Sequence, residues 1–84
     1  MSHTPHELAE EFPQHKTLIA KLKGEDAHFA KLVEEYHVVN RAVHRAETYA
    51  EPTSEEHEAE MRHRRIELKD EIYHKLSEAA RAGV

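Results

Sequence analysis

The sequence predicts an all-α protein, an antiparallel helical hairpin resembling a coiled coil, with a short helical segment before it. Three observations support this prediction. Apolar residues between positions 29 and 50 recur in alternating steps of three and four, the spacing of one stripe along a helix. Pro52 interrupts that pattern, and a second stripe with helical spacing begins at position 61. Charged residues make up 35% of the chain, with only two glycines and three prolines, as in long solvated helices.

The first part of the chain is predicted to contain two short helical segments. Thr4 and Pro5 are typical of a helix start, and Glu7 completes a capping box. Pro13 should end this first helix, because it disfavours helical geometry at Phe12, and should open a second segment. Apolar residues on one face of that second segment are Leu18, Ile19 and Leu22.

A break is predicted between the second segment and the long helix. Gly24 is the expected C-terminal glycine of the second segment, and Asp26 is the expected N-cap of the long helix. The alternative is one unbroken helix from Pro13 to Ala50. It is disfavoured because a continuous stripe would place the charged Glu25 between apolar residues.

The turn of the hairpin is predicted near residues 51–54. The long helix should end near Ala50, because Pro52 cannot continue it. Thr53 as N-cap and Glu56 at the third helical position form a second capping box, which should start the returning helix. A turn of about four residues makes the two long helices antiparallel neighbours.

Pairing the helices about this turn predicts four apolar layers. The layers are Val43 with Met61, Tyr36 with Leu68, Leu32 with Ile72, and Phe29 with Leu76. With one further position, the predicted hairpin core is Phe29, Leu32, Tyr36, Val39, Val43, Met61, Leu68, Ile72 and Leu76. The predicted organisation is an amino-terminal extension with a short helix at 1–12, a hairpin domain at 13–80 and a tail at 81–84.

A second apolar set beside the core stripe of the returning helix predicts a contact surface. It consists of Ile66, Tyr73 and Ala80, each seven residues from the next. Either the amino-terminal segment folds across it, or a second copy of the chain docks there to give a four-helix arrangement. An exposed apolar stripe usually marks an interaction site. The expected partner is therefore a second copy, as a homodimer, or another protein.

Several short pieces of the chain carry a resemblance to a known family. They are Leu22-Lys23, Asp26-Ala27-His28-Phe29, Glu35-Tyr36 and Leu68-Lys69-Asp70-Glu71-Ile72. In their order and separation, the stretch from Phe12 to Leu76 resembles the YdcH-like family, small bacterial proteins whose domain has no assigned function. The resemblance implies a cytosolic helical hairpin, often self-associating, and it supplies no catalytic residues. Residues 38–43 depart from the family pattern, with valines where a more polar step is expected.

Length, charge and composition argue against several classes of function. A chain of 84 residues buries too little surface to enclose a deep catalytic cleft, and it has no glycine-rich phosphate loop. We therefore predict no enzymatic activity, no cofactor and no specific small molecule. The absence of cysteine excludes thiolate chemistry. No stretch is apolar and long enough to span a bilayer and no signal-peptide pattern is present, so we expect a cytoplasmic protein.

A basic cluster between positions 62 and 69 favours an alternative function, an RNA-binding adaptor. Its cations would contact phosphates along the returning helix. The cluster consists of Arg62, Arg64, Arg65 and Lys69. Against this function, Glu58 and Glu60 lie one turn before the first two arginines, and the net charge is −5. Nucleic acid is therefore the less favoured partner.

Nine histidines raise the possibility of a metal site. A helix binds a metal ion through ligands three or four residues apart, and among the histidines only His3 and His6 have that spacing. Away from the terminus, four histidines are predicted to point away from the helix seam: His37, His44, His63 and His74. We therefore expect solvated histidines and no bound metal. Their number also makes the charge of the protein sensitive to acidification towards pH 6.

Overall fold

The computed structural model describes residues 6–48 and 54–82, and within these ranges the chain forms helices and no strands. The four α-helices are α1 Leu8–Glu11, α2 Lys16–Glu25, α3 Ala27–Glu47 and α4 Glu55–Arg81, with a 3-10 turn at Pro13–His15. The two long helices, α3 and α4, pack against each other as a hairpin. The predicted fold class is confirmed.

The break between α2 and α3 lies at Asp26, as predicted. The Asp26 backbone is extended, and its Oδ1 accepts hydrogen bonds from the amides of His28 at 3.0 Å and Phe29 at 3.2 Å. This is the N-cap geometry that satisfies the first free amides of a helix. The role predicted for Gly24 is wrong, because Gly24 lies inside α2 and its backbone is not left-handed.

The first helix starts later than predicted. It begins at Leu8, and Glu7 occupies the N-cap position without a side-chain hydrogen bond to the helix. His6 has a φ of 61°, in the left-handed region, so a right-handed helix cannot run through it. Thr4 and Pro5, the predicted cap and first residue, lie outside the described residues. Pro13 separates α1 from α2 as predicted, at the start of the 3-10 turn.

Both ends of the hairpin turn differ from prediction by a few residues. α3 ends at Glu47, short of Ala50, and the Thr48 hydroxyl donates a 2.9 Å hydrogen bond to the carbonyl of His44. α4 has Ser54 as its N-cap instead of Thr53, and the Ser54 hydroxyl accepts a 3.1 Å hydrogen bond from the His57 amide. Residues 49–53 between these caps, with Ala50, Pro52 and Thr53, lie outside the described residues.

The predicted core residues lie between or beside the two long helices. Seven are buried: Phe29, Leu32, Tyr36, Val43, Leu68, Ile72 and Leu76. Val39 and Met61 are only partly buried. Three further residues of α3 are buried that the predicted core omits: Val33, the polar Asn40 and Ala46. Val33 lies in one cluster with the side chains of a third layer that covers the hairpin.

That third layer is the amino-terminal part of the chain. Leu8, Phe12 and Ile19 are buried in one cluster with the side chains of α3 and α4, and Leu18 and Leu22 pack against it. Two helices alone cover only one side of each other, so α1 and α2 supply the additional apolar surface that a chain of this length needs. The amino-terminal extension thus packs onto the hairpin instead of lying apart from it.

Candidate functional site

The outer face of α4 carries the predicted partner residues. Ile66 is 54% exposed and Tyr73 is 51% exposed, and Ala80 is exposed as well. Ile66 and Tyr73 are seven residues apart, so they lie on one side of the helix, about 10 Å from each other. One other large apolar side chain of the described residues is similarly exposed, Val38 on α3. The fold therefore leaves the predicted stripe open to contact.

Tyr73 is partly covered by the amino-terminal layer. Its ring stacks on that of Phe12, with centroids 5.6 Å apart and an angle of 22° between the planes. Phe12 is buried by this contact and by the core. The amino-terminal segment therefore reaches the edge of the predicted stripe through Phe12, while Leu18, Ile19 and Leu22 pack on the core cluster. About half of Tyr73 remains accessible beside it.

The residues at and before α1 cross the hairpin and are bound to both long helices. On the α3 side, the Tyr36 hydroxyl donates a 2.5 Å hydrogen bond to the His6 carbonyl, and His37 Nδ1 lies 2.7 Å from Glu7 Oε2. On the α4 side, Lys69 Nζ lies 3.4 Å from Glu11 Oε1. These contacts hold Phe12 in position against α4.

Two titratable side chains in these contacts, Tyr36 and Glu11, have shifted pKa values. Burial, reinforced by the negative charge of Glu11, raises the pKa of Tyr36 to about 12. For Glu11 itself, burial opposes ionisation, but the hydrogen bond from His6 and the charge of Lys69 outweigh it and lower the pKa. The neutral phenol and the ionised carboxylate are therefore the forms that the fold favours.

An open groove of about 360 Å³ lies between α1, α2 and α3. Buried apolar side chains form its floor, Leu8, Ile19 and Val33. Charged groups line its edges, with the Glu7–His37 pair among them and Lys16 and Lys23 on α2. The groove marks where the amino-terminal layer meets α3, and nothing in its geometry defines a particular ligand.

The first two cations of the predicted RNA-binding cluster have carboxylate partners. Nη2 of Arg62 lies 3.0 Å from Oε2 of Glu47 in α3 and 2.5 Å from Oε1 of Glu58, one turn earlier in α4. The hydrogen bond with Glu47 is the main cause of a raised Arg62 pKa. Arg64 lies 3.0 Å from Glu35 of α3 and also faces Glu67, whereas the sequence predicted Glu60 as its partner.

The other two cations of the cluster also contact side chains of other helices. Arg65 donates a 3.1 Å hydrogen bond to Oδ1 of Asn40, a fully buried side chain of α3. Lys69 faces Glu11. All four predicted RNA-binding side chains thus contact groups of the protein itself. A phosphate would have to compete with the carboxylates that face three of these cations and with the Asn40 amide at Arg65.

The four histidines that were predicted to be solvated differ in exposure. His63 and His74 have largely exposed side chains, as predicted, next to Glu67 and Glu78 one turn further on. His37 departs from the prediction, because α1 covers it and its side chain is only 23% exposed. Across the described ranges, no three histidine, aspartate or glutamate side chains are arranged to hold a metal ion.

Sequence reasoning missed several buried or contacting residues, and some of them left a signal in the sequence. Asn40 lies four residues after Tyr36 and three before Val43, so helical spacing alone places it on the buried stripe. Val33 lies four residues after Phe29 and could have been found in the same way. The contacts of Glu7 and Glu11 left no such signal, since each joins residues at least thirty positions apart.

Fold and surface together define a small helical-hairpin protein. An amino-terminal layer packs on the hairpin, and an apolar stripe on α4 is exposed. None of the helices in the described part of the chain has the length and apolar character needed to cross a membrane. The chain belongs to the family described as "Protein of unknown function (DUF465)", which matches residues 29–76. YdcH is a member of that family, so the resemblance seen in the sequence is confirmed.

The family match covers the hairpin and leaves out the amino-terminal layer. It begins at Phe29 and ends at Leu76, so α1 and α2 lie outside it, whereas the residues of α3 and α4 that they contact lie within it. No curated protein and no solved structure matches the chain significantly.

Proposed function

We propose that this chain is a cytosolic, non-enzymatic protein that presents the outer face of α4 to another protein, either a second copy or a different chain. The observation that supports this most directly is the half-exposure of Ile66 and Tyr73 on one side of α4. Large apolar side chains that repeat along one helix face and remain open mark a protein contact more often than single scattered ones do.

The surroundings of these two side chains fit such a surface. α4 is a helix of 27 residues, and its opposite side is anchored in the core by Leu68, Ile72 and Leu76. A helix held in this way presents its outer face with little conformational entropy left to lose on binding. Charged side chains on either side of the stripe, such as Arg62 and Asp70, supply the polar rim that protein interfaces have around an apolar centre.

Site-specific photo-crosslinking tests this proposal. A photo-reactive phenylalanine analogue at position 66 is expected to form covalent adducts with a protein in living host cells. The same analogue at position 38 is the matched control, because Val38 is exposed to a similar extent on the other long helix. Adducts at neither position, or equal yields at both, would contradict a specific contact surface on α4.

No observation in the described residues favours the alternative function, the RNA-binding adaptor. Its four cations contact Glu47, Glu58, Glu35, Asn40 and Glu11. Ion pairs at the surface contribute little to stability, so phosphates could still displace them at low salt. A filter-binding assay at low salt tests this directly. Retention of RNA that is lost on charge reversal of Arg62 and Arg64 would revive the alternative.

A further inference from the structure

α1 contacts the hairpin as a short bound peptide contacts its receptor. It is a helix of only four residues, and its N-cap residue Glu7 makes no side-chain hydrogen bond to it. A single helical turn is not stable by itself in water. Contacts with α3 and α4 therefore hold this segment in its conformation.

Two buried side chains anchor the segment. Leu8 and Phe12 both belong to the core cluster, and the ring of Phe12 also stacks on that of Tyr73. They are four residues apart, so they project from the same side of one helical turn. Apolar anchors with this spacing are the pattern by which a short helical segment of one protein binds a groove of another.

The charges of the segment are complementary to those of the two long helices. Each buried anchor is directly preceded by a glutamate. Oε1 of Glu7 lies 3.7 Å from Nε of Arg41, and its Oε2 lies 2.7 Å from Nδ1 of His37, both in α3. Oε1 of Glu11 lies 3.4 Å from Nζ of Lys69 in α4. The surface beneath α1 therefore fits an acidic segment.

The polar and aromatic groups that receive the segment all come from the hairpin. We call this surface the α1 site, and it consists of Tyr36, His37, Arg41, Lys69 and Tyr73. All five lie within residues 29–76, the part of the chain that the family match covers, whereas α1 lies outside it. Tyr36 binds a main-chain carbonyl, which a segment of any sequence provides.

We propose that the α1 site binds an acidic segment of another protein, one helical turn with the pattern Glu-Leu-x-x-Glu-Phe, and that α1 occupies the site when this partner is absent. The unspecified positions correspond to Ala9 and Glu10, whose side chains are exposed. Because α1 is tethered to its site, a partner binds only the fraction of molecules in which α1 has left it. The α1 site shares Tyr73 with the exposed stripe of α4 but is otherwise distinct, so it binds its partner whether or not Ile66 contacts a protein.

Fluorescence anisotropy of a labelled peptide with the sequence of residues 6–13 measures binding to the full-length chain. The double variant Glu7→Lys/Glu11→Lys should release α1, because both lysines then face cations of the long helices, and it leaves the α1 site itself unchanged. It should bind the peptide with a Kd on the order of 100 μM, about tenfold tighter than the wild type does.

Leu8→Glu releases α1 by a different route, because it brings a charge against the core. Its affinity for the peptide should rise to a similar extent. Circular dichroism shows whether each variant retains its helices. If Leu8→Glu unfolds, the double variant decides the outcome, because its two changes lie outside the core cluster.

Two further comparisons locate the binding and define the pattern. Lys69→Glu should bind a peptide with lysine in place of the second glutamate about fivefold tighter than it binds the original peptide, and the wild type should show the reverse order. A peptide altered only at the positions of Ala9 and Glu10 should bind as well as the original, and one with serine at both anchors should not bind. Equal affinities of the wild type and the double variant, or no saturable binding to the folded double variant up to about 1 mM, would overturn the inference.

Discussion

Arg65 of α4 donates a hydrogen bond to the fully buried side chain of Asn40 in α3. Asn40 lies on the apolar stripe of its helix, between Tyr36 and Val43, where a polar group costs free energy unless it has partners. Sliding one helix along the other by a turn would remove Arg65 from its reach. This contact therefore selects one register of the hairpin, as single buried polar residues do in coiled coils.

Asn40→Ala should destabilise the protein by about 2 kcal/mol, because it removes the hydrogen bond and leaves a cavity in the core. Urea unfolding followed by circular dichroism measures the change. Glu34→Ala, at an exposed position of the same helix, is the control and should change stability by less than about 0.5 kcal/mol. If the two variants are equally stable, Asn40 does not contribute to holding the register.

Tyr36→Phe should lower stability by about 1 kcal/mol, because its hydroxyl binds the carbonyl of His6 across the hairpin. It should also change the response to alkali. The folded pKa of about 12 lies above the ordinary value of about 10, so the hydroxyl's contribution is present below pH 10 and is lost as the pH rises towards 12. Thermal melting at about pH 9 and about pH 11 should therefore show a smaller alkaline loss in Tyr36→Phe than in the wild type.

The control for that experiment is Tyr73→Phe, which makes the same chemical change at a half-exposed ring. It should retain the wild-type dependence on alkali. An identical alkaline loss in the wild type and in Tyr36→Phe would show that the phenol of Tyr36 is not held in its neutral form by the fold.

Glu11→Gln should weaken the attachment of the amino-terminal layer to α4. The folded pKa of Glu11 is lowered from its ordinary value of 4.5, so its stabilisation is present above that pH and is lost as the pH falls through the folded pKa. The variant should be about 0.5–1 kcal/mol less stable than the wild type near neutral pH, and the difference should disappear at about pH 3. Urea unfolding across this pH range measures it, with the exposed Glu34→Gln as control. A difference that persists at low pH would argue for a cause other than charge.

Gly24→Ala should stabilise the protein by about 0.5–1 kcal/mol. Gly24 is inside α2, its backbone is not left-handed, and a Cβ there would meet nothing within 4 Å. Alanine therefore gains helix propensity and restricts the unfolded chain without a clash. Thermal melting tests this, with Ala20→Gly as the reciprocal change at an exposed position of the same helix. Destabilisation by Gly24→Ala would indicate that Gly24 acts as the left-handed helix end that the sequence suggested.

The errors of prediction at helix ends have a common origin. Thr53 and Ser54 are both good N-caps in adjacent positions, and local rules do not decide between them. Between α2 and α3 the predicted cap at Asp26 forms, with two amide hydrogen bonds, whereas α2 continues through its predicted end at Gly24 to Glu25. Local propensity identified each break correctly but placed its boundary only to within a few residues.

The sequence by itself determined that this protein is helical, that its helices break near Pro13, Asp26 and Ser54, and that two long stripes face each other in a hairpin. These features follow from helical periodicity, capping and proline geometry, which act between residues that are close in the chain. Only the tertiary structure decided that Leu8 and Phe12 close the third side of the core. It also decided that the basic cluster contacts Glu47, Glu35, Asn40 and Glu11. Those contacts join residues far apart in the chain, and they depend on how the amino-terminal layer crosses the hairpin, which no local pattern specifies.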